Sequence, residues 1–470
     1  VSVALAAGSL AALPAYAEVT ITPSIMVSGT YADNFALASE GAEQEDVIWQ
    51  ANPSIVIQHR AQRANSSLLY TMQNVFYTDE NDLNETFHQL DAGSQIQVLR
   101  DLFTLDLAAG ISQAVIDPEQ PRNPNNLFAS GNIADATRYS ARPHLTHRFG
   151  SVQADAEYLW GRVDYEPVRD GDPFVSEDAD DTALVLSLAS ADPEARLTWR
   201  LSYEERETDY KTALDYAYDV AALDLGWGLT RKLRLLVRGG VESDLLVRQD
   251  QGGLDEGFWE VGFRWRPTSL NELEVRGGRR SFGDSWSALY RRRARQLQLE
   301  LTYSVVPTTQ SQALIFADPV LPPDQTPGPS GPLEPLPVGP DLRLTDEVYI
   351  SRNLAGTLNL TGRRGAVALR LFGEEREYIA SNLIEKSNGF SFAYSRRMTS
   401  LIDAGIDVIG QRTELRADAE FDEGEARLWA RTRIGMRSAL TLTAARRERS
   451  GDGAQEFTLH TVTLAWNREF

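Results

Sequence analysis

A chain of 470 residues with 42% hydrophobic residues and a mean hydropathy of -0.33 has no run of about 18 apolar residues beyond its N-terminus, which excludes membrane-spanning helices. The formal net charge of -21 argues against nucleic acid as a partner, since phosphate binding needs a basic face. The absence of cysteine excludes disulfides, thiolate chemistry and Cys-ligated metals. A β-barrel stays open to such a chain, because half of each barrel strand faces water and dilutes the average hydropathy.

The first segment, VSVALAAGSLAALPAYA (Val1 to Ala17), reads as the apolar part of a secretion signal. Ala15-Tyr16-Ala17 supplies a small-x-small cleavage site, so the mature chain is expected to begin at Glu18. No basic segment precedes it, so this signal reads as truncated.

From there on the two-residue period of a strand recurs and no long helical period appears. In TRYSARPHLTHRF, Arg138, Ser140, Arg142, His144, Thr146 and Arg148 share one face, while Tyr139, Ala141, Pro143, Leu145, His147 and Phe149 share the other. In RLTWRLSYEER, Leu197, Trp199, Leu201 and Tyr203 oppose Arg196, Thr198, Arg200, Ser202, Glu204 and Arg206. DYAYDVAALDLGW breaks the rule: its apolar row starts on Tyr216, Tyr218 and Val220 and resumes on Leu223, Leu225 and Trp227. A bulge near Ala221 and Ala222 would restore the register. FWEVGFRWR and QLQLELTY alternate cleanly, with Trp259, Val261, Phe263 and Trp265, then Leu297, Leu299, Leu301 and Tyr303, on the apolar side.

The proline-rich run from Ala317 to Asp341 resists regular structure and sits where a long outer loop, residues 307–341, belongs. Its Val320, Leu321, Leu333, Leu336 and Val338 could fold it over the mouth or into the lumen as a constriction; disorder is the alternative. The chain ends HTVTLAWNREF, where Leu464, Trp466 and Phe470 share one row. A closing strand ending on an aromatic resembles the signal read by the outer-membrane barrel assembly machinery.

The alternating runs are about 10 to 14 residues long, enough for a tilted strand to cross a bilayer. Connections alternate too. One set is short: Phe149 to Ser151, Leu229 to Lys232, Pro267 to Asn271, Thr361 to Gly365 and Arg397 to Ser400. The other set is longer and acidic: TDENDLNET, EPVRDGDPFVSEDADD, VESDLLVRQDQGGLDEG and RADAEFDEGEA. Ten hairpins plus an opening and a closing strand predict an all-β, transmembrane, antiparallel up-and-down barrel of about 22 strands, within about 18 to 24. Residues 18–470 form this single barrel, expected to be monomeric in outer-membrane lipid and lipopolysaccharide.

Five stretches carry a resemblance: ITPSIMVSGTYADN (Ile21 to Asn34), LLYTMQNVFYTDENDLNETFHQLDA (Leu68 to Ala92), HLTHRFGS (His144 to Ser151), FWEVGFRWRP (Phe258 to Pro267) and DEVYISRNLAGTLNLTGRRG (Asp346 to Gly365). They are similar to outer-membrane β-barrels associated with PEP-CTERM/exosortase systems and exopolysaccharide gene clusters. The resemblance implies an outer-membrane protein of exopolysaccharide-producing bacteria and a role as a secretion conduit or accessory barrel. It brings no catalytic residues, and the polysaccharide link is one of gene neighbourhood.

On the barrel reading the polar rows line the lumen. They carry Arg138, Arg142, Arg148, Arg196, Arg200, Arg234, Arg238, Arg264, Arg276, Arg370, Arg427 and Arg431, with the acids Asp155, Glu157, Glu204, Glu260, Glu274 and Glu300. Opposed rows of charge orient polar solutes, and arginine forks suit the carboxylates or phosphates of an anionic polymer such as exopolysaccharide. The competing reading is pairing across strands. The acidic loops, with Glu177, Asp178, Asp180 and Asp181, either dock surface polymer or divalent cations, or stay solvated, since they lack an EF-hand pattern. No enzyme, cofactor or metal is expected. His144 and His147 fall on opposite faces of one strand, and His88 shares the lipid-facing row of Leu90, Ala92 and Ile96.

Overall fold

The computed structural model describes residues 18–121, 126–128, 132–167, 177–245, 253–315, 342, 344–416, 419–452 and 455–470. The expected signal, residues 1–17, and most of the proline-rich run lie outside the described residues. The strands are β1 (Glu18–Ala32), β2 (Asp46–Arg60), β3 (Ala64–Tyr77), β4 (Glu85–Leu99), β5 (Phe103–Val115), β6 (Ile133–Phe149), β7 (Val152–Pro167), β8 (Ala179–Ser190), β9 (Leu197–Tyr210), β10 (Tyr216–Gly228) and β11 (Leu233–Glu242). They continue with β12 (Glu256–Thr268), β13 (Asn271–Arg280), β14 (Gly283–Arg293), β15 (Leu297–Thr308), β16 (Tyr349–Thr361), β17 (Gly365–Tyr378), β18 (Ile384–Arg397), β19 (Ile402–Arg416), β20 (Ala419–Arg433), β21 (Ser438–Asp452) and β22 (Phe457–Glu469). One short helix, α1 (Gln310–Ile315), interrupts the β15–β16 connection.

Each strand pairs antiparallel with its sequence neighbours, and β22 pairs with β1 from Ala32↔Thr461 to Ser24↔Glu469. The Phe470 amide donates to the Pro23 carbonyl beyond the last pair. The sheet is thus a closed barrel of 22 strands, the form that leaves no strand edge in hydrocarbon.

Alternation assigns the two faces. The outer row exposes Val261 and Phe263 between Trp259 and Trp265 on β12, an apolar band bracketed by aromatics as lipid and its interfaces require. Leu464 and Phe470 lie on the same outer row, 50% and 58% exposed. The inner row is polar along the lower wall and turns apolar towards the end that carries the longer connections, the extracellular end of an outer-membrane barrel.

That change of polarity corrects the bulge expected near Ala221 and Ala222. β10 keeps an unbroken register with β9 from Tyr216↔Thr208 to Trp227↔Leu197, and with β11 from Val220 onwards. Tyr216, Tyr218, Val220 and Ala222 are inner-row residues buried with Phe258, whereas Leu223, Leu225 and Trp227 are exposed on the outer row. The apolar row changes face because the solvent changes: lumen packing above, lipid below. A second correction concerns RADAEFDEGEA. Its residues Ala419 to Ala426 begin β20 instead of forming a long acidic loop, with Phe421 and Glu423 turned inward opposite Thr413 and Gln411.

Candidate functional site

The inner rows of β6 to β15 build the densest array of charge. On β6 and β7, Arg142 faces Glu157 at 3.6 Å and His144 faces Asp155 at 3.7 Å. Arg148, at the short-turn end, donates to the Gly150 carbonyl. Arg196 lies one residue ahead of β9, at the short-turn end, where its carbonyl accepts from the Gly228 amide. Across β10 to β13 the charges form a ladder. Arg276 donates to Asp224 at 2.8 Å and to Glu274 at 2.9 Å, and Arg264 donates to Glu274 at 2.7 Å. Arg238 lies 3.7 Å from Asp224 and 4.0 Å from Glu260. Arg234 donates to Thr198 Oγ1 and the Ala195 carbonyl, Glu204 accepts from Arg206, and Glu300 pairs with Arg291 at 3.0 Å.

The strongest member of this array is one that sequence reasoning missed. Glu242 is fully buried and accepts from Arg280 Nε at 2.8 Å, the Tyr218 hydroxyl at 2.6 Å and the Ser281 amide at 2.6 Å. The Arg280 guanidinium also lies 4.6 Å from the Phe258 ring centroid. The only available signal was parity, since Arg280 continues the row of Glu274 and Arg276, and Glu242 that of Arg234 and Arg238.

These rows enclose a chamber of about 650 Å³ lined by Arg200, Arg234, Arg238, Arg264, Arg276 and Arg280 against Glu204, Asp224 and Glu260. Six arginines stand against three acids on the lining, and Glu274 and Glu242, which pair with Arg264, Arg276 and Arg280, bring the local balance to six cations less five anions, +1, inside a chain of net charge -21. Arg200 is exposed to the chamber and has no acidic partner among the described residues.

The opposite wall is more tightly paired. Arg427 meets Asp407 at 2.7 Å, Arg447 meets Glu423 at 2.5 Å and Arg376 meets Glu374 at 2.7 Å. Arg431 is buried, while Arg370 is exposed. Arg138 lies over Gly110, where an added Cβ would come within 2.7 Å of its Nε.

The extracellular end is narrowed by segments folded inward. Phe35 and Leu37 from the β1–β2 connection, with Leu127 and Phe128 from β5–β6, bury against Val75, Tyr77, Phe87 and Leu459. Helix α1 crosses from β15 to the far wall, where Ile315 joins Ala136, Leu159, Val163 and Ala183. Ser311 Oγ donates to Asp181 at 3.2 Å and Gln312 Nε2 to Thr208 at 3.0 Å. Gly161, between Leu159 and Val163 on the inner row, makes room for Ile315.

The acids proposed for cation binding do not converge. Asp181 turns inward to Thr208 and Ser311, Asp180 pairs with Arg162 and Glu177 accepts from the Thr212 amide. At the rim, burial alone would raise the Asp178 carboxyl, but hydrogen bonds from Lys211 and the Tyr165 amide hold it below the usual carboxylate range. Among the described residues no group of three or more His, Asp or Glu side chains could hold a metal ion. His144 is on the inner row and His147 on the outer, and His88, on the outer row, bonds Tyr70 at 2.7 Å.

No protein-family model matches the sequence, and no curated protein matches it either. Among solved structures, a point mutant of the ferric enterobactin receptor PfeA from Pseudomonas aeruginosa aligns with a TM-score of 0.50 and 10% identity, over 96% of this chain and 80% of that one. The siderophore receptor PirA from Acinetobacter baumannii aligns with a TM-score of 0.50 and 7% identity, over 96% and 81%. A BenF-like porin from Pseudomonas fluorescens is more distant, at a TM-score of 0.38 and 7% identity over 96% and 99%, and carries no weight here. At such identities the likeness is one of fold. The chain is a large outer-membrane β-barrel of 22 strands.

Proposed function

We propose that the barrel is a passive, monomeric conduit for anionic saccharide chains in exopolysaccharide export, as its resemblance to PEP-CTERM-associated barrels suggests. The observation that carries this reading is the arginine lining of the lumen chamber, six guanidinium groups against five acids when Glu274 and Glu242 are counted, in a protein that is acidic overall. Fixed cations in a narrow aqueous passage raise the local concentration of anions. Paired arginines such as Arg264 and Arg276 keep donor groups free to meet a passing carboxylate, while Arg200 offers its whole guanidinium. Nothing in this reading couples energy to transport.

Single-channel recording in planar bilayers tests it. Reversal potentials in a salt gradient should show anion preference, and Arg200→Gln should reduce it. Alginate oligomers should interrupt the current where neutral dextrin oligomers do not. Cation preference, or equal block by both oligomers, would sink the proposal. The inward-folded mouth favours a second reading, a plugged barrel that docks surface polymer through its outer loops. A folded barrel with no conductance that still binds alginate would replace the first reading by this one.

A further inference from the structure

One seam of the barrel wall is only half paired. β14 and β15 share six residue pairs, from Ala288↔Tyr303 to Arg293↔Gln298, the fewest of any neighbouring strands. Above them, Gly283 to Ser287 of β14 pair with β13 alone, and Ser304 to Thr308 of β15 pair with β16 alone. Unpaired backbone in a barrel wall is costly in lipid, so the height of this gap matters. On the outer row of β16, Leu354 is exposed as lipid-facing residues are, and Arg352, two residues higher, is paired with Glu375 and Glu377. The gap therefore begins where the apolar band gives way to charge, at the outer-leaflet boundary, beside the exposed Trp286.

Side chains close its upper end where hydrogen bonds do not. Val305 and Ile350 belong by register to the outer row of their strands, yet they are buried, 5% and 2% exposed, in one cluster with Phe258, Tyr216 and the turn residue Phe282. Apolar packing is non-directional, so lips held this way part without breaking a ladder of backbone bonds. Directly behind them lies the arginine chamber, whose lining includes Ser285 and Ser287 from one lip and Ser304, Val305 and Val306 from the other.

We infer that this seam is a lateral portal through which a single-chain anionic amphiphile, a fatty carboxylate, enters the chamber from the outer leaflet. Its head would pair with arginine, Arg200 first because Asp224, opposite it in the register, is engaged by Arg276, and its chain would lie between the lips along Val305 and Val306. The chamber, about 650 Å³, has the size of a small-ligand pocket. This inference requires the arginine chamber but not solute passage through the barrel.

The native chain has no cysteine, so disulfides placed by substitution report cleanly. Continuing the register would bring Ser287 opposite Ser304, and Ser287→Cys with Ser304→Cys locks the seam. Leu289→Cys with Thr302→Cys, an existing pair, is the control. Doxyl-labelled stearate and its methyl ester are presented to the full-length protein in vesicles, and the immobilised fraction is read by electron spin resonance. The stearate should be immobilised and the ester should not. Oxidising the Ser287–Ser304 variant should abolish immobilisation, reductant should restore it, and the control disulfide should have no effect. Val306→Trp, which fills the slot, should also abolish it if the disulfide fails to form, and Arg200→Gln should weaken binding roughly tenfold by loss of a charge-assisted contact. Equal immobilisation of acid and ester, or stearate binding untouched by both the lock and Val306→Trp, overturns the inference. A barrel with no anion conductance but with seam-dependent stearate binding would refute the conduit and leave the portal standing.

Discussion

Gly161→Val is the sharpest perturbation of the lumen. A Cβ built on Gly161 would lie 2.7 Å from Ile315 Cδ1 and 2.8 Å from its Cγ2, well inside the roughly 3.5–4.0 Å of ordinary carbon contact. Both atoms belong to one β-branched side chain that is itself buried, so rotation of Ile315 does not relieve both contacts. Overpacking of this kind costs about 1–3 kcal/mol, and burying an isoleucine is worth about 1.5–3 kcal/mol. The two terms are of the same size, and a helix of six residues has no stability of its own. Valine at 161 should therefore undock α1. A change of 1–3 kcal/mol shifts the docked-to-undocked ratio by about 5- to 150-fold. Two assays read the result: single-channel conductance, which should rise, and thiol labelling of Ser311→Cys, which should quicken as its contact with Asp181 is lost. Ile315→Ala in the same chain removes the clashing atoms, so the double variant should sit closer to the docked state than Gly161→Val alone. Unchanged conductance and unchanged labelling in a correctly folded Gly161→Val barrel would refute the view that α1 is held by this contact and narrows the lumen.

Glu242→Ala should destabilise the barrel by about 3–5 kcal/mol, because it strands the buried Arg280 guanidinium, and Glu242→Gln should cost less by keeping an acceptor for Tyr218 and Ser281. Urea unfolding in lipid vesicles measures both, and a Glu242→Gln barrel as stable as the native one would argue against the charge as the cause. Arg370→Gln, at an exposed inner-row position, should change stability by no more than about 0.5 kcal/mol. Arg427→Gln leaves the buried Asp407 without its partner and should cost about 3–5 kcal/mol in the same assay. Phe470→Ser should lower the yield of heat-modifiable, membrane-inserted barrel severalfold without altering conductance per channel, and a normal yield would remove Phe470 from the assembly signal.

Much of the architecture could be read along the chain because a barrel strand obeys a local rule. Neighbouring side chains face different solvents, so the period in Trp259, Val261, Phe263 and Trp265 already identifies a wall with lipid on one side. Short turns such as Leu229 to Lys232 divide the wall into hairpins, and the alternating end at Phe470 fits a strand that must close on the first. The same rule assigns arginines and acids to the inner rows but does not say which of them meet.

What local alternation cannot carry is distance across the lumen, which depends on how the whole sheet tilts and curves. Tyr216, Tyr218 and Val220 looked out of register because their apolar neighbours, Phe258 among them, come from other strands. Acids in RADAEFDEGEA looked like loop because their basic partners, such as Arg447 for Glu423, lie 24 residues away on the next strand. The docking of Ile315 on Gly161, the burial of Glu242 among Arg280, Tyr218 and Ser281, and the parted lips of β14 and β15 all follow from closure of the sheet. Period two specifies a face for every side chain, whereas neighbours across the lumen are specified only once 22 strands share one axis.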